Sequence, residues 1–203
     1  MYARLVHRNL SQAEVEVLFN LLSERFEVVE EMIRDEGYGY DEEVVFGWDE
    51  GYEGISDSSS STSSKGGRVD SMLMSILSID LPLQYDVNFV KDIGFERWEA
   101  LKEIIKNIRW RRGKGVFAFR LRFLGSQTIV FSIVYRGSGK VLFNKAIEGI
   151  EYVADTMPFR SLPDAKEIRF VFSREEMRWR PRSAYIDGKE YRYVEGRWND
   201  NIR

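Results

Sequence analysis

The chain contains no cysteine and a single histidine, His7, among its 203 residues. Without cysteine there is no disulfide, no thiolate metal site and no cysteine nucleophile. One histidine excludes a histidine metal cage and disfavours a Ser-His-Asp triad, so we expect a structural role for His7. Any chemistry of this protein must therefore depend on carboxylates, amines and hydroxyls.

Long apolar runs are also missing from the sequence. No stretch approaches the roughly 20 apolar residues that a membrane-spanning helix needs. The start, "MYARLVHRNLSQAE", lacks the apolar block of a secretory signal. We therefore expect a cytoplasmic protein with no membrane partner. Glutamine occurs only three times beside 31% charged residues, a balance typical of proteins from thermophiles.

Charge is present in quantity and is divided unevenly along the chain. Residues 1–100 carry 8 Lys+Arg and 21 Asp+Glu, and residues 101–203 carry 22 and 12, so net charges of −13 and +10 make the total of −3. Such asymmetry is typical of proteins that bind nucleic acid or another acidic partner. The alternative is that the acidic half neutralises the basic half within one folded unit.

Periodicity in the first half predicts strands over residues 2–7, 42–48 and 71–83 around one helix. Ser11 and Glu14 form the capping-box pattern that begins a helix. Apolar residues then recur every three or four positions and predict a helix that ends near Gly37; they are Val15, Leu18, Leu22, Phe26, Val29 and Ile33.

The second half alternates hairpins with helices. Residues 95–110 predict a helix, and residues 116–124 and 128–135 predict a hairpin that turns at Gly125-Ser126. A helix with apolar residues over 143–157 and a strand over 167–172 complete a β-α-β unit, and Asp187-Gly188 predicts a last hairpin. The fold class is therefore α+β, a mostly antiparallel sheet with helices on one face; two ferredoxin-like halves are the variant.

A serine-rich stretch over residues 56–67 interrupts this pattern. It has almost nothing to bury, so we expect a mobile loop that acts as a spacer. Long insertions inside one domain cost little loop-closure entropy, so residues 1–203 are interpreted as one domain. The alternative is two lobes, residues 1–55 and 68–203.

The segment 35–54 is rich in aspartate and glutamate, and single aspartates follow at positions 70, 80 and 86. Their carboxylate oxygens can bind a hard divalent cation, Mg²⁺ or Mn²⁺, as in a two-metal nuclease. The favoured interpretation of the segment 35–54 is a solvated acidic face, or a lid on the protein's own basic surface, with no cofactor; the metal site is the alternative. The candidate metal ligands are Asp41, Asp49, Asp70, Asp80 and Asp86, of which Asp80 and Asp86 are also the candidate catalytic residues.

A glycine-rich turn, "GSGK", lies where a strand meets a helix. Free amides at a helix N-terminus attract anions, so Gly137, Ser138, Gly139 and Lys140 form a candidate anion site. The spacing departs from a P-loop, which needs four residues between its first Gly and the Gly-Lys pair. An ordinary tight turn is the favoured interpretation, and a nucleotide-hydrolysing enzyme is disfavoured.

Basic residues of the second half stand beside aromatic ones, as in "RWRR" (109–112) and "RWRPR" (178–182). Single-stranded nucleic acid is held by this combination, because cations contact phosphates while rings stack on bases. The alternative is that each tryptophan packs into the core with arginines beside it. The predicted binding residues are Arg109, Trp110, Arg111, Arg112, Lys114, Arg120, Arg122, Arg178, Trp179, Arg180 and Arg182.

These patterns favour a nucleic-acid-binding protein, with single-stranded DNA or RNA as its partner. A carboxylate- and metal-dependent nuclease is the first alternative, and it would use Mg²⁺ or Mn²⁺. The second alternative is a homo-oligomeric assembly module in which the acidic face of one copy pairs with the basic face of the next.

Overall fold

The computed structural model of the chain describes residues 2–33, 55–56, 74–136, 140–156, 164–194 and 196–200. Its helices are α1 (Gln12–Ser23), α2 (Phe89–Ile93), α3 (Phe95–Arg111) and α4 (Val141–Thr156). Its strands are β1 (Tyr2–Arg8), β2 (Glu27–Met32), β3 (Ile55–Ser56), β4 (Met74–Leu81), β5 (Val116–Leu124), β6 (Thr128–Arg136), β7 (Glu167–Ser173), β8 (Arg178–Ile186), β9 (Lys189–Val194) and β10 (Arg197–Asp200). The predicted α+β class is confirmed.

The strands form a single sheet. Nine of them lie side by side in the order β10-β9-β8-β7-β6-β5-β4-β1-β2, and β3 pairs with the end of β6. Strands from before and after the serine-rich stretch are therefore direct neighbours. The strand predicted over 42–48 lies outside the described residues, as does the serine-rich stretch beyond residue 56.

The sheet is mixed: five of its nine described strand pairs are antiparallel, as expected, and four are parallel. Besides the short β3/β6 pair, three pairs are parallel, β1/β2, β4/β5 and β6/β7, and each of these three is joined through helix. A parallel pair requires such a crossover, so three β-α-β units stand side by side. The sequence pattern predicted only the third unit, β6-α4-β7, which is confirmed. Antiparallel pairing joins the units and continues through β10.

The first helix is shorter than predicted. The capping box at Ser11 is present, with Glu14 N–H donating to Ser11 Oγ and Ser11 N–H donating to Glu14. The helix ends at Ser23, however, and residues 27–32 form β2 beside β1. Val28 and Val29 favour a strand, and pairing with β1 provides hydrogen bonds for this segment. These preferences outweigh the helical spacing of its apolar residues.

The core lies between the sheet and the helices. Phe117, Phe119, Leu121 and Phe123 alternate along β5 towards the helices and are fully buried, as the period of two predicts. Inward-facing residues of α1, α3 and α4 pack on the same cluster. The residues between them on β5, including Arg120 and Arg122, lie on the opposite face. No helix in the described part of the chain is both long and apolar enough to cross a membrane.

Two tight turns have the geometry that their residues predict. Asp187 and Gly188 adopt φ angles of 47° and 78°, which suits the type I′ turn expected between β8 and β9. At Gly125 an added Cβ would lie 2.8 Å from the Cα of Gln84, too close for any side chain. Gln84 Oε1 in turn accepts hydrogen bonds from the backbone and hydroxyl of Ser126. The β5–β6 hairpin is confirmed.

Candidate nucleic-acid interface

Exposed cations gather at one end of the sheet. At this end β1, β6 and β7 finish while β4, β5 and β8 begin, as their registers require. Helix α3 ends and α4 begins here too. We call this the cationic end and define it by its exposed basic residues: Arg111, Lys114, Arg136, Lys140, Arg174, Arg178 and Arg180.

Four of these cations have no ion-pair partner within the described ranges. Lys114, Arg136, Lys140 and Arg174 are exposed and form no ion pair with any residue that the structure describes. Exposed cations that are not neutralised by a carboxylate remain available to phosphates, whose counterions they replace. Lys114 and Lys140 were already singled out by the sequence, whereas Arg136 and Arg174 were not.

Of the three arginines at the end of α3, two are packed against the protein and one is exposed to solvent. Arg109 is buried, donates to the carbonyl of Gly113 at 3.0 Å and stacks its guanidinium over the ring of Tyr135. Arg112 pairs with the buried Glu14 of α1, whereas Arg111 is 65% exposed and lies 3.5 Å from the same carboxylate. Gly113, with φ of 54°, follows the helix in the left-handed conformation typical of a C-terminal cap. Arg109 and Arg112 are therefore tied to the fold.

Glu14 of α1 is the carboxylate that both Arg111 and Arg112 contact, and we call it the Glu14 anchor. Burial opposes its ionisation, but hydrogen bonds from Ser11 and Arg112 outweigh burial and lower its pKa. The carboxylate therefore stays charged and holds the start of α1 against the end of α3. This pair is one place where the acidic half of the chain neutralises the basic half.

Trp110 and Lys140 come from separate sequence motifs and meet at the cationic end. The Trp110 ring is 58% exposed, and the ammonium of Lys140 lies over it. Both line a cavity of about 180 Å³ between α3 and α4, together with Lys106, Asn107 and Asn144. The structure thus joins "RWRR" to the lysine of "GSGK"; Gly137, Ser138 and Gly139 lie outside the described residues.

A second cavity, of about 570 Å³, lies on the other flank of α4 beside the start of β8. Arg178 and Arg180 line it and remain largely exposed, although both donate to Glu176. Trp179 forms its floor: the ring is 5% exposed, and its Nε1 donates to the carbonyl of Ala146 at 2.7 Å. Trp179 is thus a core residue. Arg182 lies half-buried at the irregularity in the β7–β8 register.

Arg120 and Arg122 lie away from the cationic end, on the sheet face opposite the helices. Arg120 Nε donates to Ser78 Oγ at 2.9 Å, and Arg122 Nη1 lies 3.1 Å from Asp80 Oδ2. Burial, with repulsion from Arg122, lowers the pKa of Arg120 to about 10, so its guanidinium remains charged at neutral pH. The eleven predicted binding residues are thus distributed over the cationic end, the core and this opposite face.

The two described metal candidates lie in different settings. Asp80 is buried and paired with Arg122, and its field also acts on Arg4 and Arg120, so positive charge surrounds it. Asp86 accepts from the backbone N–H of Asn88 in the turn before α2. Within the described ranges, no three acidic or histidine side chains are grouped as a metal would need. Asp41, Asp49 and Asp70 lie outside those ranges.

Comparison of the chain with family models, with curated proteins and with solved structures finds no match. The function must therefore be inferred from the side chains of this protein.

Proposed function

We propose that the protein binds single-stranded nucleic acid along the cationic end of its sheet. The observation that carries this proposal is the meeting of an exposed tryptophan, Trp110, with cations that have no carboxylate partner among the described residues. The cations contact phosphates, and the ring stacks on a base. An exposed, flat ring at a helix end favours an unpaired strand, whose bases are free to stack.

The alternatives receive less support. A metal nuclease needs several carboxylates at one point, and Asp80 is instead surrounded by arginines. The binding proposal therefore involves no Mg²⁺ or Mn²⁺. Self-assembly stays a prediction, which sizing of the protein at low and high salt tests directly, because pairing between charged faces weakens as salt screens it.

The test is a binding assay with single-stranded DNA, duplex DNA and RNA across a salt series. If about five cations contact phosphates of a single strand, the slope of log K against log salt is near −3.5, from about −0.7 per contact. Lys114→Glu/Lys140→Glu removes two contacts, so we expect affinity to fall by at least about tenfold and the slope to flatten to about −2.1.

The matched control is Lys166→Glu/Lys189→Glu, which makes the same change in net charge with two exposed lysines at the opposite end of the sheet. This control should keep the wild-type slope. Equal losses in both double variants would mean that total charge, not the cationic end, drives binding. A wild-type protein without salt-dependent affinity for any nucleic acid overturns the proposal.

A further inference from the structure

The cavity between α3 and α4 lies beside ion pairs that join the two helices. Lys102 of α3 is only 2% exposed and lies 2.8 Å from Glu99 and 2.8 Å from Glu148 of α4. Burial opposes its charge, but Glu148 and Glu99 outweigh burial and raise the pKa of Lys102. Lys106 is held in the same way by Glu103 and Glu148. These pairs lock the two helices together beside the cavity.

Three kinds of functional group face this cavity: an aromatic ring, an ammonium and side-chain amides. Positions 106, 107 and 110 of α3 fall on one side of that helix, and positions 140 and 144 face them from the start of α4. They supply an aromatic ring from Trp110, a solvent-exposed ammonium from Lys140 and two side-chain amides from Asn107 and Asn144. Neither amide forms a hydrogen bond with any residue in the described part of the chain.

Each kind of group matches one part of a nucleotide. A tryptophan face stacks on any base, and an ammonium contacts a phosphate. A side-chain amide offers a donor and an acceptor together, which is the pattern that pairs with the polar edge of a base. The volume of about 180 Å³ lies below the 300 Å³ or more of pockets for larger ligands, so it suits one base and no complete dinucleotide.

We infer that this cavity receives a single unpaired base of the bound strand and distinguishes it from other bases through Asn107 and Asn144. The base takes the place of the Lys140 ammonium over the Trp110 ring, its polar edge meets the two amides, and the displaced Lys140 contacts the adjoining phosphate. This inference rests on the proposed function and adds base preference to it, because contacts with phosphates alone carry no sequence information.

The test compares ten-nucleotide homopolymers of A, C and T, or of A, C and U if RNA binds better, at one salt concentration. The wild type should prefer one of them by about tenfold, the discrimination that well-placed amide contacts provide. Asn107→Ala/Asn144→Ala should reduce this preference to within about twofold and keep the salt slope, since it removes no charge. Trp110→Leu should weaken binding of every homopolymer by about tenfold.

Asn20→Ala/Asn199→Ala is the matched control, because it removes two exposed amides that lie away from the cavity; it should keep the preference. Equal, salt-dependent binding of all homopolymers by the wild type overturns the inference and leaves the proposed function standing. A preference that survives in Asn107→Ala/Asn144→Ala also overturns it. Absence of binding to every homopolymer overturns the proposed function itself.

Discussion

The segments "RWRR" (109–112) and "RWRPR" (178–182) have nearly the same composition, but their tryptophans differ in exposure. Trp110 at the end of α3 is 58% exposed, whereas Trp179 in β8 is 5% exposed beneath α4. One ring is available to a ligand, and the other has its Nε1 bonded to the Ala146 carbonyl. A tryptophan flanked by arginines is therefore no guide to exposure.

The difference arises from the direction in which each side chain points from its helix or strand. In α3 the buried stripe includes Trp98, Ile105 and Ile108, and Trp110 stands about 200° around the helix from Ile108. In β8 successive side chains alternate, so Trp179 points to the core while Arg178 and Arg180 point away. The arginine-tryptophan-arginine pattern therefore leaves Trp110 exposed in α3 and Trp179 buried in β8.

The largest expected effect comes from exchanging each ring for alanine. Trp179→Ala removes a buried aromatic side chain and its hydrogen bond, so it should lower the free energy of unfolding by about 3–5 kcal/mol. Trp110→Ala should change it by less than about 1 kcal/mol. Thermal unfolding measures the contrast, with the melting temperature falling by about 10 °C for Trp179→Ala. Similar losses from both variants would show that Trp110 also supports the fold.

Within "RWRR" itself, two adjacent arginines should respond differently. Arg112→Ala leaves the buried carboxylate of Glu14 without its main cationic partner, which should cost about 3 kcal/mol of unfolding free energy. Arg111→Ala breaks only an exposed contact and should cost about 0.5 kcal/mol. Denaturant unfolding of the two variants checks the difference. A costly Arg111→Ala would place both arginines in the structural set and remove Arg111 from the interface.

The smallest effect concerns pH and the Glu14 anchor. Its folded-state pKa is lowered, so its contribution to stability is complete above the ordinary glutamate pKa of about 4.3 and is lost as the pH falls through the lowered value. Glu14→Gln should therefore be less stable than wild type at pH 7, with the gap closing below about pH 4. Melting temperatures from pH 7 to pH 3 measure it, and a constant gap would contradict the role of ionised Glu14.

The site was only partly predictable from sequence. Trp110, Lys114 and Lys140 were identified because cations beside an aromatic ring, or after a glycine turn, are recognisable locally. Asn107 and Asn144 carry no local signal, since an asparagine on an exposed helix position looks the same whether or not it faces a cavity. The alternation of side chains along a strand shows that Arg120 and Arg122 share one face of the sheet. It does not show which other elements lie on that face, so the prediction that both arginines join the interface had no tertiary basis.

What the sequence determined by itself was local: the capping box at Ser11, the helix over 95–110, the β5–β6 hairpin and the Asp187-Gly188 turn. Each depends on residues within a few positions of one another, so periodicity and turn chemistry suffice. The tertiary structure alone decided that residues 27–32 pair with β1, that three crossovers give parallel pairs, and that the ends of α3 and α4 meet. Those outcomes depend on hydrogen bonds and packing between residues far apart in the chain, which no local pattern specifies.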